Sequence, residues 1–92
     1  MQNGKSMDLM MRDQIQYIMM PKIRYAPWTG TYASYDIAAY DTYRRGIAET
    51  IPDVTPDREL ALHIVETFNR TQLPPCRLYD AIAEMVSRFK IH

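Results

Sequence analysis

Residues 52–89, PDVTPDRELALHIVETFNRTQLPPCRLYDAIAEMVSRF, spell out two amphipathic helices joined by a proline corner, and no other stretch constrains the architecture as tightly. Thr55 is the expected N-cap of the first helix. Pro56 follows at the first helical position, where a missing N–H costs nothing, and Asp57 and Glu59 stand against the positive end of the dipole. At helical period Leu60, Ala61, Ile64, Val65 and Phe68 share one face, while Glu59, Leu62, His63 and Glu66 lie on the other. Asn69 and Arg70 close this helix. The connection Thr71-Gln72-Leu73-Pro74-Pro75 cannot continue it, but Pro75 can begin the next, in which Leu78, Ile82, Met85, Val86 and Phe89 form a second apolar stripe.

The preceding stretch has a different character. Six of the aromatic residues fall between Tyr25 and Tyr43, where β-propensity is high. Pro27-Trp28-Thr29-Gly30 punctuates two alternating runs, and Arg44-Arg45-Gly46 offers Gly46 as a positive-φ residue, so both junctions predict hairpins. Three antiparallel strands are expected over 22–26, 31–41 and 47–51. In the central one Tyr35, Ile37 and Ala39 are assigned to the core, and Tyr32, Ser34, Asp36, Ala38 and Tyr40 to the second face. Upstream, Met7, Met11, Ile15 and Ile18 fall at the spacing of one helical face, predicting a Met-rich helix over 7–20 that ends at Pro21. The rival period is present too, since Ile15, Tyr17 and Met19 alternate with Gln14, Gln16 and Ile18. Residues 1–6 are polar and aperiodic and read as a disordered leader, leaving 7–92 as a single domain.

Composition narrows function mainly by exclusion. Eleven basic residues balance eleven acidic ones, so no net field steers the chain toward phosphate backbones or anionic lipid. A lone cysteine, Cys76, cannot form an internal disulfide, and Asp8, Arg12 and Asp13 interrupt what would otherwise be an apolar N-terminal run. No signal peptide or membrane span is expected, and the expected address is cytoplasmic.

The runs YDIAAYD at 35–41, IPDVTPDRE at 51–59, and Phe68-Asn69 followed by LPPCRLYD at 73–80 resemble an uncharacterised family of small clostridial-type (Firmicutes) bacterial proteins, a domain of unknown function. The resemblance extends from about Tyr35 onward. That family usually carries Ser-Pro, a variable residue and His-Leu at the corner between the helices, with an acidic pair further on. Here Arg77 stands where the histidine would, and only Glu84 represents the acidic pair. The resemblance implies the fold and brings no activity, cofactor or partner with it.

Each chemically suggestive side chain has a plainer explanation. Cys76, in the first turn of the second helix beside Arg77, has the setting of a nucleophile or redox thiol, but it has no second cysteine or sequence-local histidine to act with. His63 projects from a polar helix face, and His92 is terminal. These ligands are too scattered for a zinc site, and Asp53, Asp57 and Glu59 are accounted for as helix-terminus charges. Asp80 and Glu84 share a helix face, but Glu84 has Arg88 one turn on as an ion-pair partner. No cofactor or metal is expected.

The aromatic sheet is the one feature that points outward. Tyr32 and Tyr40, with Tyr25, Trp28 and Tyr43 near the strand ends, have the chemistry to stack on bases, and Lys22, Arg24, Arg44 and Arg45 would supply charge. A neutral chain without a basic stripe favours protein contact instead, because aromatics and methionines are enriched in buried interfaces. The sequence therefore predicts an α+β domain, a three-stranded antiparallel sheet followed by two packed C-terminal helices. It would act as a non-enzymatic interaction or regulatory module, with a homodimer or another protein as partner. Met11, Ile18, Trp28, Tyr32, Tyr40 and Leu62 are its candidate contacts; the alternative is a weak single-stranded nucleic-acid or nucleotide binder using Arg44 and Arg45, and thiol activity at Cys76 comes third.

Overall fold

A computed structural model describes residues 14–90, with side chains to residue 88. Strands β1 (Ile15–Ala26), β2 (Gly30–Asp41) and β3 (Gly46–Thr55) form one antiparallel sheet in the order β1-β2-β3. Helix α1 (Arg58–Thr71), a single 3-10 turn (Pro75–Arg77) and helix α2 (Leu78–Lys90) follow, so the α+β architecture is as the sequence predicts. The leader at 1–6 and the first part of the Met-rich segment lie outside the described residues.

The helix expected over 7–20 is corrected where it can be seen: from Ile15 onward the chain is strand. Tyr17 pairs with Ala39, Met19 with Ile37 and Pro21 with Tyr35, so the period of two prevails over the helical one. The reason is non-local, because this alternation meets a complementary one in β2. Even-numbered residues of β1 face β2 with their amides, as the bond from Thr42 N–H to the Gln14 carbonyl at 2.7 Å fixes. Odd-numbered residues then turn their amides to the open edge. Pro21 is one of them, so its missing N–H costs the ladder nothing and it interrupts no element.

Both hairpins form, though not through the same residues as expected. At the first, Thr29 N–H donates to the Ala26 carbonyl and Gly30 takes φ +80°, so glycine supplies the left-handed step. At the second, that step falls on Arg45 at φ 60° rather than on Gly46. The Asp41 carboxylate accounts for the difference: it accepts the N–H groups of Tyr43 and Arg44, each at 3.0 Å, while the Asp41 carbonyl accepts that of Arg45. The turn is closed by aspartate before the glycine is reached.

The first helix starts later than its sequence suggests. Thr55 still pairs with Tyr35 as the last residue of β3, and Asp57 is the N-cap, accepting from the amides of Glu59 at 3.0 Å and Leu60 at 3.5 Å. Thr55 serves one step earlier, its hydroxyl accepting the Asp57 N–H at 3.0 Å. At the corner, Pro75 opens the 3-10 turn and the α-helix proper begins at Leu78.

Both helices pack on one face of the sheet. The core joins Tyr17, Ile37 and Ala39 of the sheet to Ala61, Ile64, Val65 and Phe68 of α1 and to Leu78 and Ile82 of α2. Tyr17 and Phe68 meet edge-to-face with ring centroids 5.5 Å apart. The Tyr17 hydroxyl donates to the Leu73 carbonyl, tying β1 to the interhelical corner. Tyr35, expected in this core, is half-buried beside it.

Candidate functional site

The two faces of the sheet offer different chemistry. On the second face Ser34, Asp36 and Ala38 are buried, although sequence patterning reserved burial for the opposite set. Their surroundings explain it. Between the pairs Tyr35–Thr55 and Ile37–Ile51 the register slips, so that Pro52, Asp53 and Val54 of β3 bulge opposite Asp36. Asp53 adopts φ 54°, which turns its amide and its carboxylate toward β2. Its N–H donates to the Asp36 carboxylate at 2.9 Å, and its own carboxylate accepts from Ser34 Oγ at 2.6 Å and from the Tyr32 hydroxyl at 2.9 Å. Arg24, from β1, completes the cluster with an ion pair to Asp36 at 2.5 Å.

Electrostatics hold these carboxylates ionised. Burial pushes Asp36 up, but the Asp53 amide and the Arg24 guanidinium together outweigh it and keep the group below the usual carboxylate range. Hydrogen bonds from Ser34 and Tyr32 hold Asp53 low as well, and the bond to Asp53 raises Tyr32. The result is a polar lattice across three strands that engages both carboxylates and leaves Arg24 Nε without a partner. The sequence assigned Asp53 to the helix terminus; its role is in the bulge. The only local signal was a Pro-Asp pair interrupting an apolar run.

This lattice decides the standing of the tyrosines. The Tyr32 ring is held by its hydroxyl beside two carboxylates, a poor setting for stacking against a polyanion. Tyr40 pairs with Gln16, Ile18 pairs with Ala38, and both are half-buried on the same face. Leu62 is half-buried on α1, and Met11 lies outside the described residues. Arg44 and Arg45 are exposed in the β2–β3 turn, at the opposite end of β2 from Trp28. Arg44 is within 3.9 Å of the Asp41 carboxylate. The geometry therefore does not bring Trp28, Tyr32 and the two arginines into one track.

A different surface is assembled instead. β1 has 12 residues and spans about 40 Å, whereas the 14 residues of α1 span about 21 Å, so the helices cover only part of the first face. Among the described residues the uncovered end is the distal half of the first hairpin. There Ile23 is 74% exposed, Tyr25 72% and Trp28, in the turn, 86%. Pro21 and Ala33 are exposed around them. Trp28 was foreseen as a contact residue. Tyr25 is expected only as a strand-end aromatic able to stack on bases, and Ile23 not at all, because nothing local in a strand records where a helix from later in the chain will end.

Two further features are simpler. Cys76 is exposed in the 3-10 turn, and His63 is exposed on α1. A shallow groove of about 320 Å³ runs between β3 and α2, lined by Ile51, Val54, Tyr79, Ile82 and Val86, with Asp53 also on its wall. Among the described residues, no group of three or more His, Cys, Asp or Glu is arranged to hold a metal, and no helix is long and apolar enough to cross a membrane.

Comparison with family models, with curated proteins and with solved structures finds no match to the chain.

Proposed function

We propose that the chain is a non-enzymatic protein-interaction module that associates with itself through the apolar, helix-free end of its sheet. The observation that carries this reading is the clustering of Ile23, Tyr25 and Trp28 in solvent, on a chain with no net charge. Exposed apolar groups scattered singly need no explanation, but three large ones together on one hairpin form a patch of the kind that marks contact surfaces. Aromatic side chains add large contact area at small entropic cost. Catalysis has no comparable support, since the two carboxylates of the polar lattice on the opposite face are engaged by Arg24, Ser34, Tyr32 and the Asp53 amide.

Sedimentation equilibrium tests the proposal. The expected result is a dimer that persists in 1 M salt, at which ionic contacts are screened within about 3 Å. Tyr25→Ser and Trp28→Ser should each weaken association at least tenfold and leave the melting of the subunit unchanged, because neither side chain reaches the core. Association lost with Tyr40→Ser but indifferent to these two would move the contact to the second face. Binding of a random single strand that falls steeply with salt and disappears with Arg44 and Arg45 would establish the nucleic-acid alternative. A monomer at every concentration would overturn self-association.

A further inference from the structure

Among the described residues the open edge of β1 is blocked at Tyr17 and Pro21 and bare beyond them, and the bare part coincides with the exposed apolar cluster. Tyr17 turns its N–H and C=O outward, and both are taken by the Asn69 side chain. Pro21 has no N–H to offer. Continuing the alternation, Ile23 and Tyr25 present one outward donor and one outward acceptor each. The opposite edge of the sheet is poorer. β3 is broken by two register irregularities and by Pro52, with Asp53 at positive φ between the strand's two halves. Met19 lies singly between the Tyr17–Asn69 clasp and Pro21, so Ile23 and Tyr25 are the consecutive edge-facing pair beyond the proline, a template with side chains 74% and 72% exposed.

We propose that this template pairs with a second copy of itself, two β1 edges joining antiparallel with Arg24 opposite Arg24 on the two-fold axis. The inference rests on the self-association proposed above and names its geometry. In this register Ile23 of each copy faces Tyr25 of the other, and the two pairs exchange four N–H···O=C bonds without calling on Pro21. Each Ile23–Tyr25 pair sets a β-branched side chain against an aromatic ring, a favourable cross-strand combination. A shift of the pairing by two residues would set Pro21 opposite Tyr25 in one direction or Pro27 opposite Ile23 in the other, and lose bonds. The two guanidiniums brought together at the axis are already paired, each to its own Asp36 at 2.5 Å, so the axis does not juxtapose unpaired cations. Lys22 falls opposite Ala26. The product is a continuous six-stranded sheet with the order β3-β2-β1-β1-β2-β3, an isologous contact of the kind that closes at two copies.

Amide hydrogen exchange of the unaltered protein reads the proposal directly. The Ile23 and Tyr25 amides should exchange slowly above the dissociation constant and fast below it, whereas the Arg24 amide, bonded within the hairpin, should not follow dilution. A second measurement uses Arg24→Cys in a Cys76→Ser background. Facing residues in a non-hydrogen-bonded pair have Cα atoms about 4.5 Å apart, within disulfide range, so mild oxidation should cross-link the dimer. Ile23→Pro deletes an outward N–H without touching the β1–β2 ladder and should raise the dissociation constant at least tenfold. A dimer whose Ile23 and Tyr25 amides exchange fast would overturn edge pairing while leaving self-association intact. Slow exchange without the cross-link would overturn the register. A monomer at all concentrations would remove both proposals.

Discussion

The side-chain amide of Asn69 is a strand partner for Tyr17: its oxygen accepts the Tyr17 N–H at 2.7 Å and its nitrogen donates to the Tyr17 carbonyl at 3.1 Å. A primary amide has the same donor and acceptor spacing as a peptide group, so one residue near the end of α1 completes the β-ladder that the edge of β1 lacks.

Asn69→Leu is therefore expected to destabilise the domain by about 1–3 kcal/mol, since it strands two backbone groups at a partly covered position. Asn69→Asp should fall between, keeping the acceptor for the N–H but facing the carbonyl without a donor. Urea unfolding midpoints check the order wild type, Asp, Leu; a Leu variant at the wild-type midpoint would show that water replaces the clasp without loss.

Burial, with a smaller contribution from Cys76, pushes the Tyr17 hydroxyl up to about 12, above the usual phenol value of 10.0. The folded state holds this proton more tightly than the unfolded chain does. Its contribution is fully present below pH 10 and is lost as pH rises from 10 through 12, about 2–3 kcal/mol in all. Tyr17→Phe should flatten that limb of the stability profile.

On the acid side the sign reverses. Asp36 and Asp53 are held low, so their contributions are present above the ordinary carboxylate range and are lost as pH falls below about 4. Asp36→Asn should reduce the acid sensitivity measured by circular dichroism at 0.1 M salt, while lowering stability at neutral pH through loss of the Arg24 pair. An unchanged acid limb would show that other carboxylates set it.

Arg45 occupies φ 60° although Gly46 is its neighbour. Relieving the left-handed strain by Arg45→Gly is expected to stabilise the fold by roughly 0.5–1 kcal/mol, a rise in melting temperature of a few degrees. A fall would mean that the Arg45 side chain makes contacts worth more than the strain.

What was legible in the sequence follows the range of the interactions involved. The helices were legible because a cap, a proline and an apolar stripe act within a few turns, and Ala61, Ile64, Val65, Phe68, Leu78 and Ile82 are buried as their spacing requires. The N-cap was displaced from Thr55 to Asp57 because Thr55 remains engaged with Tyr35, a residue in another strand. Ile15 to Met20 satisfies both periods locally, and the choice between them rests on Ile37 and Ala39 waiting in β2. The polar lattice escaped for the same reason: Asp36 and Asp53 lie far apart in sequence and meet only because of a bulge. Trp28 could be placed at a surface turn from Pro27 and Gly30, but the exposure of Ile23 and Tyr25 depends on helix length measured against strand length.

The clasp between Tyr17 and Asn69 also sets an order of events during synthesis. Because the chain emerges N-terminus first, the β1–β2 hairpin is exposed before the residue that clasps its edge at Tyr17 has emerged. For that interval the strand edge is open to other nascent chains on the same message. Stalled chains from which Asn69 has not emerged should accordingly enter the aggregate fraction, whereas full-length released chains, with the clasp and the core both complete, should stay in solution. A single asparagine in a helix thus sets how long the Tyr17 end of that edge stays open in a growing polypeptide.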